Sequence, residues 1–227
     1  MKISIATRAG TLEEFSSPET QARLVPLRER VEARAREQRT TFMFTIFQMH
    51  TEAQQTEQQK PVACQRGCSA CCRQLVTCFP FEFDEIKNYV LKVLPRDERN
   101  RLLAQIRPLV GRWQKYRKRH ASQIIRNKFK PLDDWYGKSC IFLKDDRSCG
   151  IYPVRPMDCR TTHNTARCEW VDRDLKPPPT RFFFPCDNDF NTIVIEQAAR
   201  TMTDGKYGVT ALPDWFLVHA RAFGIDA

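Results

Sequence analysis

Glycine is scarce in this sequence, with eight glycines among 227 residues. So little glycine argues against a turn-dense all-β fold and against a glycine-rich nucleotide-binding fold. The sequence also lacks the P-loop, the GxGxxG fingerprint, the GxSxG nucleophile motif and the HExxH zinc motif. It therefore gives no support to the enzyme classes that these motifs identify, and it singles out no catalytic residue.

Long apolar runs are also missing. None approaches the roughly 20 residues that a membrane-spanning helix needs, and residues 1–8 lack the apolar region of a secretory signal. We therefore expect a cytoplasmic protein without a membrane span, in which thiols stay reduced. In that compartment, clustered cysteines indicate metal or redox chemistry more often than structural disulfides.

Cysteine, by contrast, is abundant and clustered. Four of the ten cysteines lie within nine residues, and a second set follows downstream; the two sets are Cys64, Cys68, Cys71 and Cys72, and Cys140, Cys149, Cys159, Cys168 and Cys186. Thiolates are soft ligands that bind zinc, copper(I) or iron–sulfur clusters. Ligands from two separated loops suit a structural zinc site, and iron–sulfur clusters take the same residues. The spacing predicts a metal centre without separating zinc from iron.

Two ordered motifs carry a family resemblance. The first, over residues 64–76, contains C-x3-C-x2-C-C, and the second, over residues 140–160, contains C-x-I-Y-x-x-R-P-x-x-C-R. Together they resemble the CxxxCxxCC cysteine-cluster family of putative zinc- or iron-chelating proteins, also called YkgJ-like. The resemblance covers about residues 63–168. Its departure from the family pattern is Ile141, which stands where proline is usual and does not touch a ligand.

The resemblance implies a zinc or iron cofactor, an iron–sulfur cluster included, and no established reaction. It implies metal binding by eight cysteines, which are Cys64, Cys68, Cys71, Cys72, Cys140, Cys149, Cys159 and Cys168. We add two arginines as cofactor-binding residues. Arg155 lies between cysteines in the sequence and would donate hydrogen bonds to a thiolate or cluster sulfur. Arg160 would offset the negative charge of the clustered thiolates.

Apolar periodicity predicts a mostly helical fold. Ser17 followed by Pro18 is typical of a helix start, and Pro95 separates two later helices. The predicted helices span residues 18 to about 59 (as one helix or two), 81–94, 97 to about 116, 188–203 and 215–223.

A small irregular β-hairpin is predicted from the apolar runs 139–143 and 149–152. It would put Cys140 and Cys149 at opposite ends of a compact turn. We expect an N-terminal helical region over residues 1–60 and a cysteine-cluster metal-binding domain over residues 61–190. Residues 191–227 would then supply C-terminal helices that pack on the same core.

Two alternative functions remain open. The first is an enzyme whose metal cluster is catalytic, either redox-active or protein-modifying, because the flagellin lysine-N-methylases contain a similar cysteine domain. The second is an interaction module in which zinc holds the fold together and a basic segment binds the partner. Twelve Lys/Arg and two Asp/Glu lie between residues 96 and 130, while the rest of the chain is neutral. Nucleic acid is the candidate partner for Arg112–Lys130. No nucleic-acid motif supports this, and a solvated helix face is the favoured interpretation of the basic segment.

The other histidines and cysteines are not assigned to the predicted metal site. His163 follows Cys159 closely and could be a metal ligand, but we favour its interpretation as a surface-loop histidine. We interpret His50 as structural. Cys78 and Cys186 receive no role from the sequence.

Overall fold

A computed structural model describes most of the chain. The described residues are 17–57, 62, 64, 67–73, 75–119, 138–164, 169–171, 174–176, 181–182, 184–201 and 210–225. The predicted eighth ligand, Cys168, and the second part of the basic segment, residues 120–130, lie outside these ranges.

The fold is mostly helical, as predicted, with short strands that join distant segments. Its α-helices are α1 (Pro18–Gln38), α2 (Phe42–Glu57), α3 (Pro80–Asn88), α4 (Arg96–Arg119), α5 (Met157–Arg160), α6 (Pro185–Thr201) and α7 (Leu212–Val218). Its strands are β1 (Thr77–Cys78), β2 (His163–Asn164), β3 (Glu169–Val171), β4 (Asp174–Lys176), β5 (Arg181–Phe182) and β6 (Thr210–Ala211).

The N-terminal helical region forms two helices. Ser17 caps α1, because its side chain accepts a hydrogen bond from the amide of Thr20 at 3.2 Å. Arg39 adopts a left-handed conformation (φ 52°) and ends α1, and α2 begins three residues later. The two helices pack against each other, so the apolar stripe of α1 enters the core.

Prolines delimit the next two helices. Pro80 occupies the first turn of α3, where its missing N–H costs nothing. A π-helical turn, Tyr89–Val93, extends α3, and the amide of Leu94 donates to the carbonyl of Tyr89. Helix α4 begins directly after Pro95 and is not interrupted at Gly111. It buries one face, which includes Leu102, Ile106 and Trp113.

Three antiparallel strand pairs fix the connections between helices. Strand β1 pairs with β6, β2 pairs with β5, and β3 pairs with β4. The β1–β6 pair sets Thr77 opposite Ala211, which holds the chain just after the first cysteine loop against the start of α7. Each strand is only two or three residues long, so helix packing provides most of the core.

The buried apolar residues form one cluster that runs from Leu24 to Ile225. In it α2 packs against α6, and α4 packs against α7. The cysteine loops leave this scaffold between α2 and α3 and between α4 and α6. The boundaries predicted after residues 60 and 190 stay a prediction. No helix in the described residues is both long enough and apolar enough to cross a membrane.

Candidate metal centre

The first cysteine loop makes its tight turns with local hydrogen bonds. Gly67 has φ +89°, a conformation that a residue with a side chain rarely adopts. After it, residues Cys71–Arg73 form a 3₁₀ turn, in which the amide of Cys72 donates to the carbonyl of Ser69 at 3.1 Å. The adjacent cysteines Cys71 and Cys72 lie in this turn, and both are half-buried.

The second cysteine loop contains the predicted hairpin in a shorter form than expected. Leu143 and Cys149 form one antiparallel bridge, and the amide of Gly150 donates to the carbonyl of Phe142 at 2.7 Å. Arg147 adopts a left-handed conformation (φ 61°) in the turn. The turn is so tight that only one bridge forms, and the segment therefore contains no extended strands.

A main-chain hydrogen bond joins the two loops. The amide of Cys140 donates to the carbonyl of Cys72 at 2.7 Å. Cys64 also approaches the second loop, since its Sγ lies 3.9 Å from the carbonyl oxygen of Thr162 and donates to it. Cys159 lies in the short helix α5. Its amide donates a hydrogen bond to the carbonyl of Pro156 at 2.9 Å, which closes the first turn of this helix.

The thiols are close enough to change one another's pKa values. A hydrogen bond from Cys72 lowers the pKa of the Cys71 thiol to about 7, and the same bond raises the pKa of Cys72. Burial raises the pKa of Cys140 to about 12 and raises the pKa values of Cys149 and Cys159. The charge of Cys71 adds to the increase at Cys140, Cys149 and Cys159. A bound cation would reverse this preference and stabilise the thiolates.

The donor chemistry fits a zinc or iron centre. None of the nine described cysteines forms a disulfide, so the sulfur atoms of both loops are available as ligands. Within the described residues, however, no three cysteine sulfurs lie within 4.8 Å of one another. Coordination of a single ion by three of these thiols therefore requires the sulfur atoms to move closer together, by side-chain rotation or by a shift of the loops.

A comparison with protein families identifies the domain that these loops form. The family model CxxCxxCC, described as "Putative zinc- or iron-chelating domain", matches residues 63–178, just over half of the chain. The chain belongs to this family. The matched range contains all eight cysteines of the predicted site. No curated protein and no solved structure matches the chain.

Within this zinc- or iron-chelating domain, Arg155 is the cation beside the thiols. Its guanidinium group lies over the ring of Tyr152, with the central carbon 4.3 Å from the ring centroid. Its positive charge lowers the pKa values of Cys71 and Cys149, although burial outweighs this effect at Cys149. The Nε atom of Arg155 is buried and has no hydrogen-bond partner among the described residues. An acceptor at the thiol cluster would satisfy this donor.

Arg160 has a different environment, since it is only 1% exposed and its donors all face protein oxygens. The acceptors are the carbonyls of Arg155, Phe47, Tyr152 and Pro153 and the hydroxyl of Thr51. These bonds use the five N–H groups of the guanidinium. Arg160 therefore fixes the chain around Arg155 and ties the second cysteine loop to α2.

A second polar cluster was missed by the sequence analysis. His163 is buried (8% exposed), so its interpretation as a surface-loop histidine was wrong. It lies beside Gln54, which also contacts Asp187, and Asp187 contacts His50. Cys186, which the sequence left without a role, belongs to the same cluster. The sequence did contain a signal for this cluster, because the spacing of His50, Gln54 and Glu57 puts all three on one face of α2.

The basic segment is described only in its first part. Arg112, Lys115, Lys118 and Arg119 are exposed on α4, while Arg117 forms an ion pair with Asp214 at 2.9 Å. Nucleic-acid binding through Arg112–Lys130 stays a prediction.

Proposed function

We propose that the two cysteine loops form one thiolate metal centre that binds zinc or iron. Its ligands are drawn from Cys64, Cys68, Cys71, Cys72, Cys140, Cys149 and Cys159, with Cys168 as a further member. The observation that carries the proposal is the 2.7 Å hydrogen bond between the Cys140 amide and the Cys72 carbonyl, because it brings two distant cysteine motifs together. The family description of a zinc- or iron-chelating domain supports the same conclusion.

The protein's own residues prepare this centre in different ways. The pKa of Cys71 is lowered to about 7, so about half of this thiol is ionised at neutral pH, and we expect it to bind the metal first. The other thiols, with raised pKa values, would release their protons as the metal binds. The metal, once bound, supplies either a structural cross-link or, if it is iron, a redox centre.

Arg155 and Arg160 have separate roles in the proposal. Arg155 would donate from its buried Nε to a ligand sulfur, which lowers the charge on that sulfur and orients it. Arg160 acts as a positioning residue through its bond to the Arg155 carbonyl at 2.7 Å.

The direct test is the metal and acid-labile sulfide content, with a visible spectrum, of full-length protein purified without oxygen. The proposal expects stoichiometric zinc or iron that is lost in Cys149→Ser and kept in the control Cys78→Ser. Cys78 is a suitable control because it is buried in the apolar core cluster and is not among the proposed ligands. If neither metal is present, or if both variants retain the same amount, the proposal fails.

The same measurement separates the alternatives. Iron with sulfide and a charge-transfer band would favour the redox or protein-modifying enzyme. A cytoplasmic location would fit the reduced cysteines of such an enzyme. Colourless zinc protein would favour the interaction module. In that case, salt-dependent RNA binding that is lost when Arg117, Lys118 and Arg119 are changed to Ala would identify the basic segment as its surface.

A further inference from the structure

A cavity of about 350 Å³ lies between the first turns of α4 and the turn of the second cysteine loop. Its α4 wall includes Glu98, Arg101 and Gln105, and its loop wall runs over residues 141–146. The volume is within the range of about 300–1,000 Å³ that is usual for small-molecule sites. None of the described cysteines lines the cavity, so it is a feature separate from the thiolate centre.

The base of the cavity is apolar. Leu94, Leu102 and Phe142 line it, and their exposed fractions are only 9%, 7% and 4%. All three belong to the main core cluster, and a packed core of this kind keeps its shape. Such a base favours a ligand with an apolar body, because that body leaves water when it binds.

The two walls of the cavity are tied together. Lys144 Nζ on the loop wall lies 2.9 Å from Glu98 Oε2 on the α4 wall, and the two form an ion pair. The amide of Lys144 also donates to the carbonyl of Ser148 at 2.9 Å, which holds the turn in place. The cavity is therefore formed by contacts within the protein and does not need a ligand to shape it.

Two opposite charges in the lining remain uncommitted. Arg101 and Asp145 both line the cavity and are exposed, and neither forms a hydrogen bond or an ion pair with another described residue. The third carboxylate of the lining, Asp146, accepts from the amide of Ser148 at 2.9 Å, and the other two charged residues pair with each other. The cavity thus offers a cation from α4 and an anion from the loop beside an apolar base.

We propose that this cavity binds a small zwitterion with an apolar body, such as a hydrophobic amino acid or a hydrophobic dipeptide. Arg101 pairs with the carboxylate of the ligand, for which the planar guanidinium is suited. Asp145 pairs with the ammonium group, and the apolar body covers Leu102 and Phe142. A purely anionic ligand would meet the charge of Asp145, and a purely cationic ligand would meet that of Arg101, so both are disfavoured.

The test is a titration of full-length, ¹⁵N-labelled protein, in the metal state in which it is purified, followed by amide chemical shifts. L-leucine and leucyl-leucine are compared with their C-terminal amides, which lack the carboxylate, and with their N-acetyl forms, which lack the ammonium group. We expect saturable binding of at least one zwitterion, and the comparison of the two shows which length fits. Each blocked form should bind at least about tenfold more weakly than its parent, because one charge-assisted contact is lost.

Substitutions at the two uncommitted charges locate the site. In Arg101→Gln the zwitterion and its amide should bind equally, and in Asp145→Asn the zwitterion and its N-acetyl form should bind equally. Both side chains are exposed, so we expect the variants to fold. The matched controls Arg112→Gln and Asp97→Asn change exposed residues of α4 that do not line the cavity, and they should keep both preferences.

Three results would overturn the proposal. One is the absence of saturable binding of either zwitterion up to its solubility limit. Another is equal or tighter binding of the blocked forms to the wild type. The third is an unchanged preference in Arg101→Gln and Asp145→Asn, which would place the binding elsewhere. None of these results depends on which metal the cysteines hold, so this proposal and the thiolate centre fail separately.

Discussion

The amide nitrogen of Cys140 donates to the carbonyl oxygen of Cys72 at 2.7 Å, and through this bond the two cysteine loops meet. The bond lies on the main chain, so it positions the loops whatever the protonation state of the thiols. The environment of the thiols disfavours their ionisation, because burial and neighbouring charge raise the pKa values of Cys140 and Cys159. A metal ion would therefore add stability that the main chain alone does not provide.

Removal of the metal should lower thermal stability. An ion held at 100 times its dissociation constant stabilises the folded state by about 2.7 kcal/mol. For a chain of this size that corresponds to a decrease in Tm of roughly 5–10 °C. The measurement is calorimetry of the purified protein before and after treatment with a chelator and a thiol reductant. Cys149→Ser should show a low Tm that the chelator no longer changes, and an unchanged Tm in the wild type would contradict the prediction.

Loss of the Arg155 side chain should weaken metal binding. The Arg155→Gln variant removes both the buried Nε donor and the charge that lowers the pKa of Cys71. Removal of such an outer interaction typically costs 10- to 100-fold in metal affinity, and competition with a chromophoric chelator measures the change.

Two further variants sharpen that experiment. Arg73→Gln removes an exposed arginine from the first loop and should leave the affinity within about twofold, since an exposed charge contributes little. Arg155→Lys keeps the charge but has no Nε–H donor, so it separates electrostatics from hydrogen bonding. Equal affinities for the wild type and Arg155→Gln would remove Arg155 from the site.

Local sequence signals predicted the local structure well. Ser17 followed by Pro18 predicted the start of α1, and the side chain of Ser17 does cap the helix. Pro95 predicted the separation of α3 from α4, because proline cannot continue a helix whose amides are needed. The family of the cysteine domain followed from motif spacing, and the family comparison confirms it.

Long-range proximity could not be predicted in the same way. His50 and Asp187 lie on helices far apart in sequence, and their contact depends on how α2 packs on α6. Helical periodicity gives the buried face of each helix but not the partner that this face meets. The same limit explains His163, which was predicted on the surface and is buried because β2 pairs with β5 beside Gln54.

Substitution of Arg160 should destabilise the fold. Its guanidinium donates to five oxygens and stacks on Phe47, with the central carbon 4.4 Å from the ring centroid. In Arg160→Lys, a single ammonium cannot reach all of these acceptors, and each buried carbonyl without a partner costs about 1–3 kcal/mol. We expect the free energy of unfolding to fall by at least about 2 kcal/mol in urea denaturation. The exposed control Arg112→Lys should change it by less than about 0.5 kcal/mol, and equal stabilities of the two variants would contradict this role.

Glu82 should give the protein an inverted pH dependence of stability over part of the acid range. The side chain is 2% exposed, and its carboxylate accepts from the amides of Phe79 and Met157, each at 2.8 Å. Burial outweighs these bonds and raises the pKa of Glu82 from 4.5 to about 7. The folded protein therefore holds this proton more tightly than the unfolded chain does.

The free energy of unfolding should then fall as pH rises from about 4.5 to about 7, and the loss should level off above that range. One pKa unit corresponds to 1.36 kcal/mol, so the total loss attributable to Glu82 is about 3 kcal/mol. Urea denaturation of the wild type and Glu82→Gln at pH 5 and pH 7.5, in the same metal state, isolates the effect. Other titrating groups contribute to both proteins and cancel in the difference, whereas the glutamine does not titrate. The stability difference, wild type minus variant, should shrink by about 2.4 kcal/mol between these two pH values, because part of the total loss has already occurred at pH 5 and a small part remains above pH 7.5. A constant difference would show that Glu82 ionises with an ordinary pKa.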